Sequence, residues 1–260
     1  NIGFGGLKDK QAITTQFFSL RKISVQAVKQ LKIPGTEIIS IGTSAKPIFI
    51  GAHEGNKFRI VIRDIDEQPL MPKILINLFG EQRFSTNNAE IGRCIVKKDF
   101  KTAAKLASEQ HACVRESLAN NLADAVGALH SIPRKILQIY ISAFQSLLWN
   151  RAALVCATKK HKETLPLPGF SMQEEECICA VMQQEKLTSR DFVIPQIPEL
   201  SAEGGERSLF LDSQNLRINS LELDELHIGR KKCILEFTLQ KGAYATEVVR
   251  QMFSISKECL

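Results

Sequence analysis

The first 65 residues alternate between apolar and polar positions in the manner of β-strands. Residues 57–65 show this most clearly, because Phe58, Ile60 and Ile62 alternate with their neighbours. Two shorter apolar or β-branched runs, 16–22 and 38–43, are bounded by proline and glycine and are also predicted strands. A short helix is predicted between them over residues 24–31. The opening of the chain is therefore predicted to be β-rich.

From residue 87 the period of the apolar positions changes from two to that of a helix. Asn88 is a predicted N-cap for a first helix, and Asp99 is a predicted cap for a second. A third apolar run has its members at helical spacing. They are Val114, Leu118, Leu122 and Val126. The pattern thus predicts at least three consecutive helices.

The strongest predicted helix begins after Ser131, with Pro133 in its first turn. Its apolar positions recur at helical spacing, which predicts one face turned to a core. The members of that face are Ile136, Tyr140, Phe144, Leu147, Leu148, Leu154 and Val155. Proline and glycine at 166–169 end this helical block.

Strand-like alternation returns over residues 232–240, followed by a turn at Gly242 and a closing helix with Thr246 as its predicted cap. The order β-rich, helical, β-rich leaves two organisations open. One is a discontinuous sheet domain interrupted by a helical insertion, and the other is two sequential domains. Both belong to the α+β class.

Composition excludes several classes of protein. With 260 residues, 44% hydrophobic and 24% charged, the chain is an ordinary globular protein, and its apolar runs are far shorter than a membrane span. Seven cysteines without a C-x-x-C pair suit reduced core thiols of a cytosolic protein. Cys177-x-Cys179 has no nearby partner at ligand spacing, so no zinc site is expected.

The net charge of +6 is distributed unevenly. Residues 1–63 carry ten Lys/Arg against three Asp/Glu, whereas residues 170–228 carry four against twelve. A basic first lobe suits a nucleic-acid phosphate backbone, although a solvated basic face has the same composition. The charge therefore favours RNA binding without requiring it.

The segment G-F-G-G-L-K-D-K, residues 3–10, is the main candidate for chemistry. Gly5 and Gly6 permit a tight turn or a close approach to a ligand. Lys8 and Lys10 flank Asp9, which favours its ionised form and adds positive charge for an anionic partner. A held carboxylate is what a nucleophile or a general base requires.

This segment resembles the catalytic motif of the TruD family of tRNA pseudouridine synthases. Further segments resemble that family in the expected order along the chain. They are G-N-K-F at 55–58, N-L-F-G-E-Q-R-F at 77–84, S-A-F-Q-S-L-L-W-N at 142–150, L-P-L-P-G at 165–169 and L-Q-K-G-A-Y-A-T-E-V-V-R at 239–250. The resemblance therefore spans the chain.

The resemblance implies a fold and an activity. The fold is a mixed, mainly antiparallel synthase sheet over 1–74 and 212–260, interrupted by a mainly helical inserted domain over 75–211. The activity is isomerisation of the uridine at position 13 in the tRNA D-arm, without metal or organic cofactor. The resemblance further implies a cytoplasmic protein, expected to be a monomer that needs no protein partner and no membrane.

The resemblance also implies roles for individual residues. Asp9 takes the catalytic position, Phe58 the position that stacks on the target uracil, and Asn56 that of the asparagine holding the carboxylate. The alternating pattern alone favours Phe58 as a core residue of a strand, whereas the preceding Gly55-Asn56 favours the site. Lys8, Lys10, Gln82 and Arg83 are candidate substrate-binding residues. Ser142, Gln145 and Asn150 lie in a family segment that serves RNA contact or domain packing.

The chain also departs from the family pattern. Leu78 and Ser85 replace the usual Tyr and Gly, the link from residue 63 to 77 is short, and an upstream motif with a lysine partner for the aspartate is absent. We therefore expect the chain as given to lack its N-terminal segment and to be inactive without it. Two alternatives stay open: an inactive RNA-binding relic of the family, and a non-enzymatic protein-interaction module.

Overall fold

The computed structural model describes residues 2–85, 87–159, 163–212 and 215–254. The strands are β1 (Ile2–Phe4), β2 (Phe18–Leu20), β3 (Gly55–Ile65), β4 (Leu75–Ile76), β5 (Thr164–Leu167), β6 (Gly205–Ser208), β7 (Phe210–Leu211), β8 (Arg217–Ile218), β9 (Glu222–Leu223) and β10 (Lys231–Gln240). The helices are α1 (Val25–Lys29), α2 (Asn88–Val96), α3 (Phe100–Ser108), α4 (Ala112–Asn120), α5 (Ala125–His130), α6 (Arg134–Cys156), α7 (Glu176–Gln184) and α8 (Ala245–Ser254). Short 3-10 turns include Glu81–Arg83.

The largest sheet joins strands from opposite ends of the chain. Its order is β3-β10-β8, and β9 also pairs with β10. The helices α2 to α7 lie between β3 and β10 in the sequence, so this sheet is discontinuous along the chain. The small pairs β1-β2, β4-β7 and β5-β6 are antiparallel. The predicted α+β class is confirmed.

The chain forms two compact units. The first comprises residues up to Phe58 together with Thr238–Gly242. Residues 2–58 are all exposed or half-buried, so this stretch contains no fully buried side chain. The Phe4 and Phe18 rings lie 6.3 Å apart across the β1-β2 pair, and Ser19 Oγ accepts a hydrogen bond of 2.9 Å from the Ile48 amide.

The second unit comprises Arg59–Phe237 and the chain from Ala243 onward, and it contains a large helical core. Tyr140, Phe144 and Trp149 on α6 are fully buried there. Helix α2 packs on α6 at Gly92, where a Cβ atom would lie 2.0 Å from the Tyr140 carbonyl oxygen. Only glycine permits this approach of the two backbones.

A cluster of charges on the second unit joins α2, α6 and α7. The Glu185 carboxylate accepts hydrogen bonds from Arg93 Nε at 3.0 Å, Lys97 Nζ at 3.1 Å and Arg151 Nη1 at 2.7 Å. Burial raises the pKa of Glu185, but the three donors together lower it by more than burial raises it. The pKa therefore falls to about 2. The carboxylate is therefore ionised across the physiological range.

Several sequence-based predictions of elements are confirmed. The strand predicted over 57–65 is the long β3, and the strand predicted over 232–240 is β10. Asp99 caps α3, since its side chain accepts from the Thr102 amide at 3.1 Å. The helix predicted after Ser131 is α6. These elements carry strong periodicity over many residues.

Other predictions are wrong. Residues 38–43 form no strand, because a β-branched run needs a partner strand and finds none there. Asn88 is the first residue of α2 and not its cap. Thr246 likewise lies inside the first turn of α8. The third apolar run is broken into α4 and α5, and Leu122 between them is 80% exposed. On α6, Leu154 and Val155 are each about half exposed.

Candidate active site

The glycine pair lies where the chain after β1 approaches another loop of the first unit. The Gly5 carbonyl accepts from the Gly51 amide at 2.8 Å, and His53 Nδ1 lies 3.0 Å from the same oxygen. A Cβ atom on Gly5 would lie 3.3 Å from His53 Nδ1. These contacts fix the start of the segment that carries Lys8, Asp9 and Lys10.

A hydrogen bond ties this segment to strand β3. Lys8 Nζ donates to Asn56 Oδ1, so the K-D-K and G-N-K-F motifs meet in the first unit. Asn56 and Phe58 are two residues apart on the strand and share one of its faces. Gly55 before them lies tight against β10, since a Cβ there would be 2.4 Å from the Leu239 carbonyl oxygen.

Asp9 is exposed beside this contact. Within the described part of the chain, its carboxylate has no hydrogen bond or ion pair, and neither has the Lys10 ammonium group. Lys8 is half-buried because it bonds to Asn56, whereas Lys10 is exposed. The first unit therefore carries an exposed carboxylate one residue after the anchored Lys8, and a half-buried aromatic ring on the strand to which Lys8 is bonded.

Gln82 and Arg83 belong to the second unit. They lie in the 3-10 turn Glu81–Arg83, with Gln82 exposed and Arg83 half-buried. The turn closes through a hydrogen bond of 2.9 Å from the Arg83 amide to the Gly80 carbonyl. Gly80 packs tightly, because a Cβ there would be 2.8 Å from Tyr244 Cδ1.

Arg207 was not among the candidate residues identified from the sequence. It lies in a stretch that is otherwise acidic. Its Nε donates to the Asn77 carbonyl at 2.9 Å, and its Nη2 donates to Asn77 Oδ1 at 2.7 Å. Its Cζ lies 4.0 Å from the Phe79 ring centroid and 5.3 Å from that of Trp149. Burial lowers the pKa of Arg207 to about 10; Tyr244 opposes this shift and the charge of Arg83 adds to it.

The segment 142–150 serves packing in the second unit. Asn150 bonds to the Phe79 backbone through both ends of its amide. Gln145 Nε2 donates to the Pro168 carbonyl at 2.6 Å, and the Ser142 hydroxyl donates to the Gln138 carbonyl at 2.8 Å. Asn150 and Gln145 thus contribute to the packing of the second unit, whereas the Ser142 bond stays within its own helix.

Cys177 lies in a buried group with Cys156 and Glu175, whose ligand atoms are all within 4.8 Å of one another. The Glu175 carboxylate caps α7 by accepting from the amides of Cys177 at 2.8 Å and Ile178 at 3.2 Å. Cys156 Sγ lies 3.9 Å from the other carboxylate oxygen. Glu175 thus caps the N-terminus of α7 and lies beside Cys156, the last residue of α6.

Comparison with known proteins defines the class to which this fold and these motifs belong. The family model described as tRNA pseudouridine synthase D (TruD) matches residues 1–112 and 151–252. The chain belongs to this family, whose members are isomerases, as the motifs indicated.

Individual proteins similar to this chain carry the name of the same family. Proteins named "Probable tRNA pseudouridine synthase D" from Methanosarcina acetivorans and Methanosarcina barkeri are 24% and 26% identical, covering 98% of this chain and 80% and 81% of theirs. A crystal structure described as a tRNA pseudouridine synthase D from Methanosarcina mazei matches 97% of this chain and 81% of its own, with a TM-score of 0.81 at 22% identity. The fold is therefore that of this structure.

The alignment with the Methanosarcina acetivorans relative extends over 357 residues, which is longer than the whole chain of 260. Relatives therefore carry residues inside the aligned region that have no counterpart here. In the described ranges, no helix is long and apolar enough to cross a membrane.

Proposed function

We propose that this chain isomerises a uridine of tRNA to pseudouridine, with Asp9 as the catalytic residue. The observation that supports this most directly is the hydrogen bond between Lys8 and Asn56, which joins the motif of the aspartate to that of Phe58 in one unit. Family membership supports the reaction class. The division into a synthase domain, 1–74 and 212–260, and an insertion, 75–211, belongs to the same proposal.

Formation of pseudouridine needs groups of the kind that the first unit carries. The enzyme must withdraw the base from its stack, cleave the bond between the base nitrogen and the sugar, and rejoin the base through carbon. That carbon loses its hydrogen as a proton, and the freed nitrogen takes up a proton. An ionised carboxylate can act as the nucleophile or the base. A planar ring such as Phe58 offers a stacking surface worth about 1–3 kcal/mol per base.

The remaining candidates supply RNA contacts. Lys10 is exposed beside Asp9 and can pair with a phosphate, whereas Lys8 is anchored by Asn56 and positions the segment. Gln82 and Arg83 are proposed to contact the RNA from the second unit. The proposed target is the uridine at position 13 in the D-arm, and the proposed enzyme is a cytoplasmic monomer.

The test compares the full-length wild-type protein with its Asp9→Asn variant in an assay for pseudouridine in a D-arm transcript. The amide is nearly isosteric and exposed, so we expect the fold and tRNA affinity to be kept and turnover to fall below detection. Pseudouridine formed by the asparagine variant would contradict the role of Asp9. Binding of tRNA without turnover by the full-length wild-type protein would instead favour an RNA-binding member without activity.

A further inference from the structure

The side chain of Arg83 contains a buried donor with no acceptor. Its Nε is shielded from solvent and has no hydrogen-bond partner in the described residues. A guanidinium group is always protonated and carries five N–H donors, so this nitrogen can only donate. A buried donor left unsatisfied costs free energy, and native structures contain few of them. The position therefore suits an acceptor supplied by a ligand.

The surroundings of Arg83 carry a second guanidinium group. Arg83 follows Phe79 and Gly80 in the chain, and the Phe79 ring lies against the Arg207 guanidinium at 4.0 Å. Asn77 accepts from two nitrogens of Arg207 and so holds its position. The two positive charges are close enough that Arg83 lowers the pKa of Arg207. The local potential therefore favours an anion.

Part of the Arg83 residue is open to solvent, although its Nε is covered. Arg83 is half-buried as a whole, and Gln82 beside it is exposed. In the described residues the Arg83 side chain has no ion pair, and the carboxylate of the adjacent Glu81 is not bonded to it. The fork of a guanidinium group matches the paired oxygens of a phosphate better than a single acceptor.

We propose that Arg83 binds a phosphate group of the RNA backbone, and that Arg207, fixed by Asn77, keeps the position electropositive. The inference rests on the proposed function, because it names the part of the tRNA that the second unit contacts. Arg83 is the contacting residue and Arg207 is a positioning residue. A free inorganic phosphate has the same oxygen geometry and is distinguished by experiment.

The experiment measures tRNA binding against salt concentration in the Asp9→Asn background, which separates affinity from turnover. For Arg83→Gln we expect about tenfold weaker binding and a salt slope shallower by about one, because one phosphate contact is lost. Arg83→Lys should keep the slope and lose part of the affinity. Arg134→Gln removes an exposed arginine of the same unit and should stay within about twofold of the parent.

Thermal melting separates this role from a structural one. Arg83→Gln removes an unsatisfied donor, so its melting temperature should not fall, whereas a packing role predicts a clear loss. Inorganic phosphate is titrated in parallel. A phosphate-induced rise in melting temperature that Arg83→Gln abolishes, with tRNA affinity unchanged, would overturn the RNA assignment in favour of a free-phosphate site.

Unchanged affinity and salt slope in Arg83→Gln would overturn the inference while leaving the proposed function intact, provided that the wild-type chain forms pseudouridine. Failure of the parent to bind tRNA at any salt concentration would overturn both. Active wild-type enzyme with a weakened, less salt-dependent Arg83→Gln variant supports both.

Discussion

Asn150 is bonded to the backbone of Phe79 through both ends of its side-chain amide. Its Oδ1 accepts from the Phe79 amide at 2.9 Å, and its Nδ2 donates to the Phe79 carbonyl at 2.9 Å. The two bonds connect α6 to the N-L-F-G segment, 71 residues earlier in the chain. An asparagine can serve a backbone donor and a backbone acceptor at once, and an aspartate cannot.

We therefore expect Asn150→Asp to destabilise the second unit by about 2 kcal/mol, because the carboxylate faces the Phe79 carbonyl without a proton to donate. Chemical denaturation measures the loss. Asn219→Asp, at an exposed position of the same unit, is the control and should stay within about 0.5 kcal/mol of wild type. Equal stability of the two variants would contradict the role given to Asn150.

Glu185 makes stability depend on pH. Its pKa is lowered to about 2 in the folded protein, so the stabilisation is present above its unfolded value near 4.5 and is lost as the pH falls towards 2. With each pKa unit worth about 1.4 kcal/mol and partners about a third exposed, we expect about 1–2 kcal/mol. Glu185→Gln should therefore be less stable than wild type at pH 7, by an amount that shrinks below pH 4.

The measurement is a pair of denaturation series from pH 7 to pH 2.5. Glu116→Gln, at an exposed glutamate, serves as the control and should follow wild type at every pH. A difference between wild type and Glu185→Gln that stays constant across the range would show that protonation of this carboxylate is not the cause.

Gly92→Ala tests the close approach of α2 to α6. The added methyl group would lie 2.0 Å from the Tyr140 carbonyl oxygen, so the helices must separate, and we expect a loss of about 1–3 kcal/mol or more. Gly42→Ala is the matched control, since no atom lies within 4 Å of its added methyl group. A melting temperature for Gly92→Ala equal to that of the control would contradict the packing described.

The contact between Lys8 and Asn56 predicts a coupled effect on turnover. Lys8→Met and Asn56→Ala each break the same hydrogen bond, so the double variant should lose little more kcat/KM than the worse single variant. Lys10→Met is the control and should weaken tRNA binding at low salt while leaving kcat nearly unchanged. Fully additive losses at positions 8 and 56 would show that the two residues act independently.

Phe58 distinguishes a stacking role from a core role. We expect Phe58→Tyr to keep most of the activity, because the ring is retained, and Phe58→Ala to lose at least tenfold. Pseudouridine formation and melting temperature are measured on the same samples. Loss of activity in proportion to loss of stability would assign Phe58 to the core, which its half-buried position on β3 also allows.

The sequence correctly predicted the elements that are determined by the periodicity of their own residues. The alternation in β3 and the long apolar face of α6 are properties of their own segments, and both elements are present. The run 38–43 shows the limit of this approach, since a strand exists only where a second strand pairs with it. The prediction that Leu154 and Val155 face the core is wrong for a related reason. The core that covers most of α6 does not cover these two side chains near its end.

In the candidate site too, the sequence pointed to residues within local motifs and missed a residue whose role depends on distant parts of the chain. Motif resemblance gave Asn56 the position that holds the Asp9 carboxylate, whereas in the structure the Asn56 side chain accepts a hydrogen bond from Lys8. Arg207 was missed because its role depends on Asn77 and Phe79, some 130 residues away in sequence. An arginine within an acidic stretch gives no local signal that its guanidinium group will be buried against aromatic rings.

The discontinuous sheet has a consequence for synthesis on the ribosome. Strand β3 ends at Ile65, and its neighbour β10 begins only at Lys231. At about 5–20 residues per second, β3 waits roughly ten to thirty seconds as a nascent strand with unsatisfied backbone groups. The helices in between are translated after β3 and before β10. Helices have mostly local contacts, which form rapidly. Among the described strand pairs, the strand that carries Asn56 and Phe58 thus waits longest for its partner during synthesis.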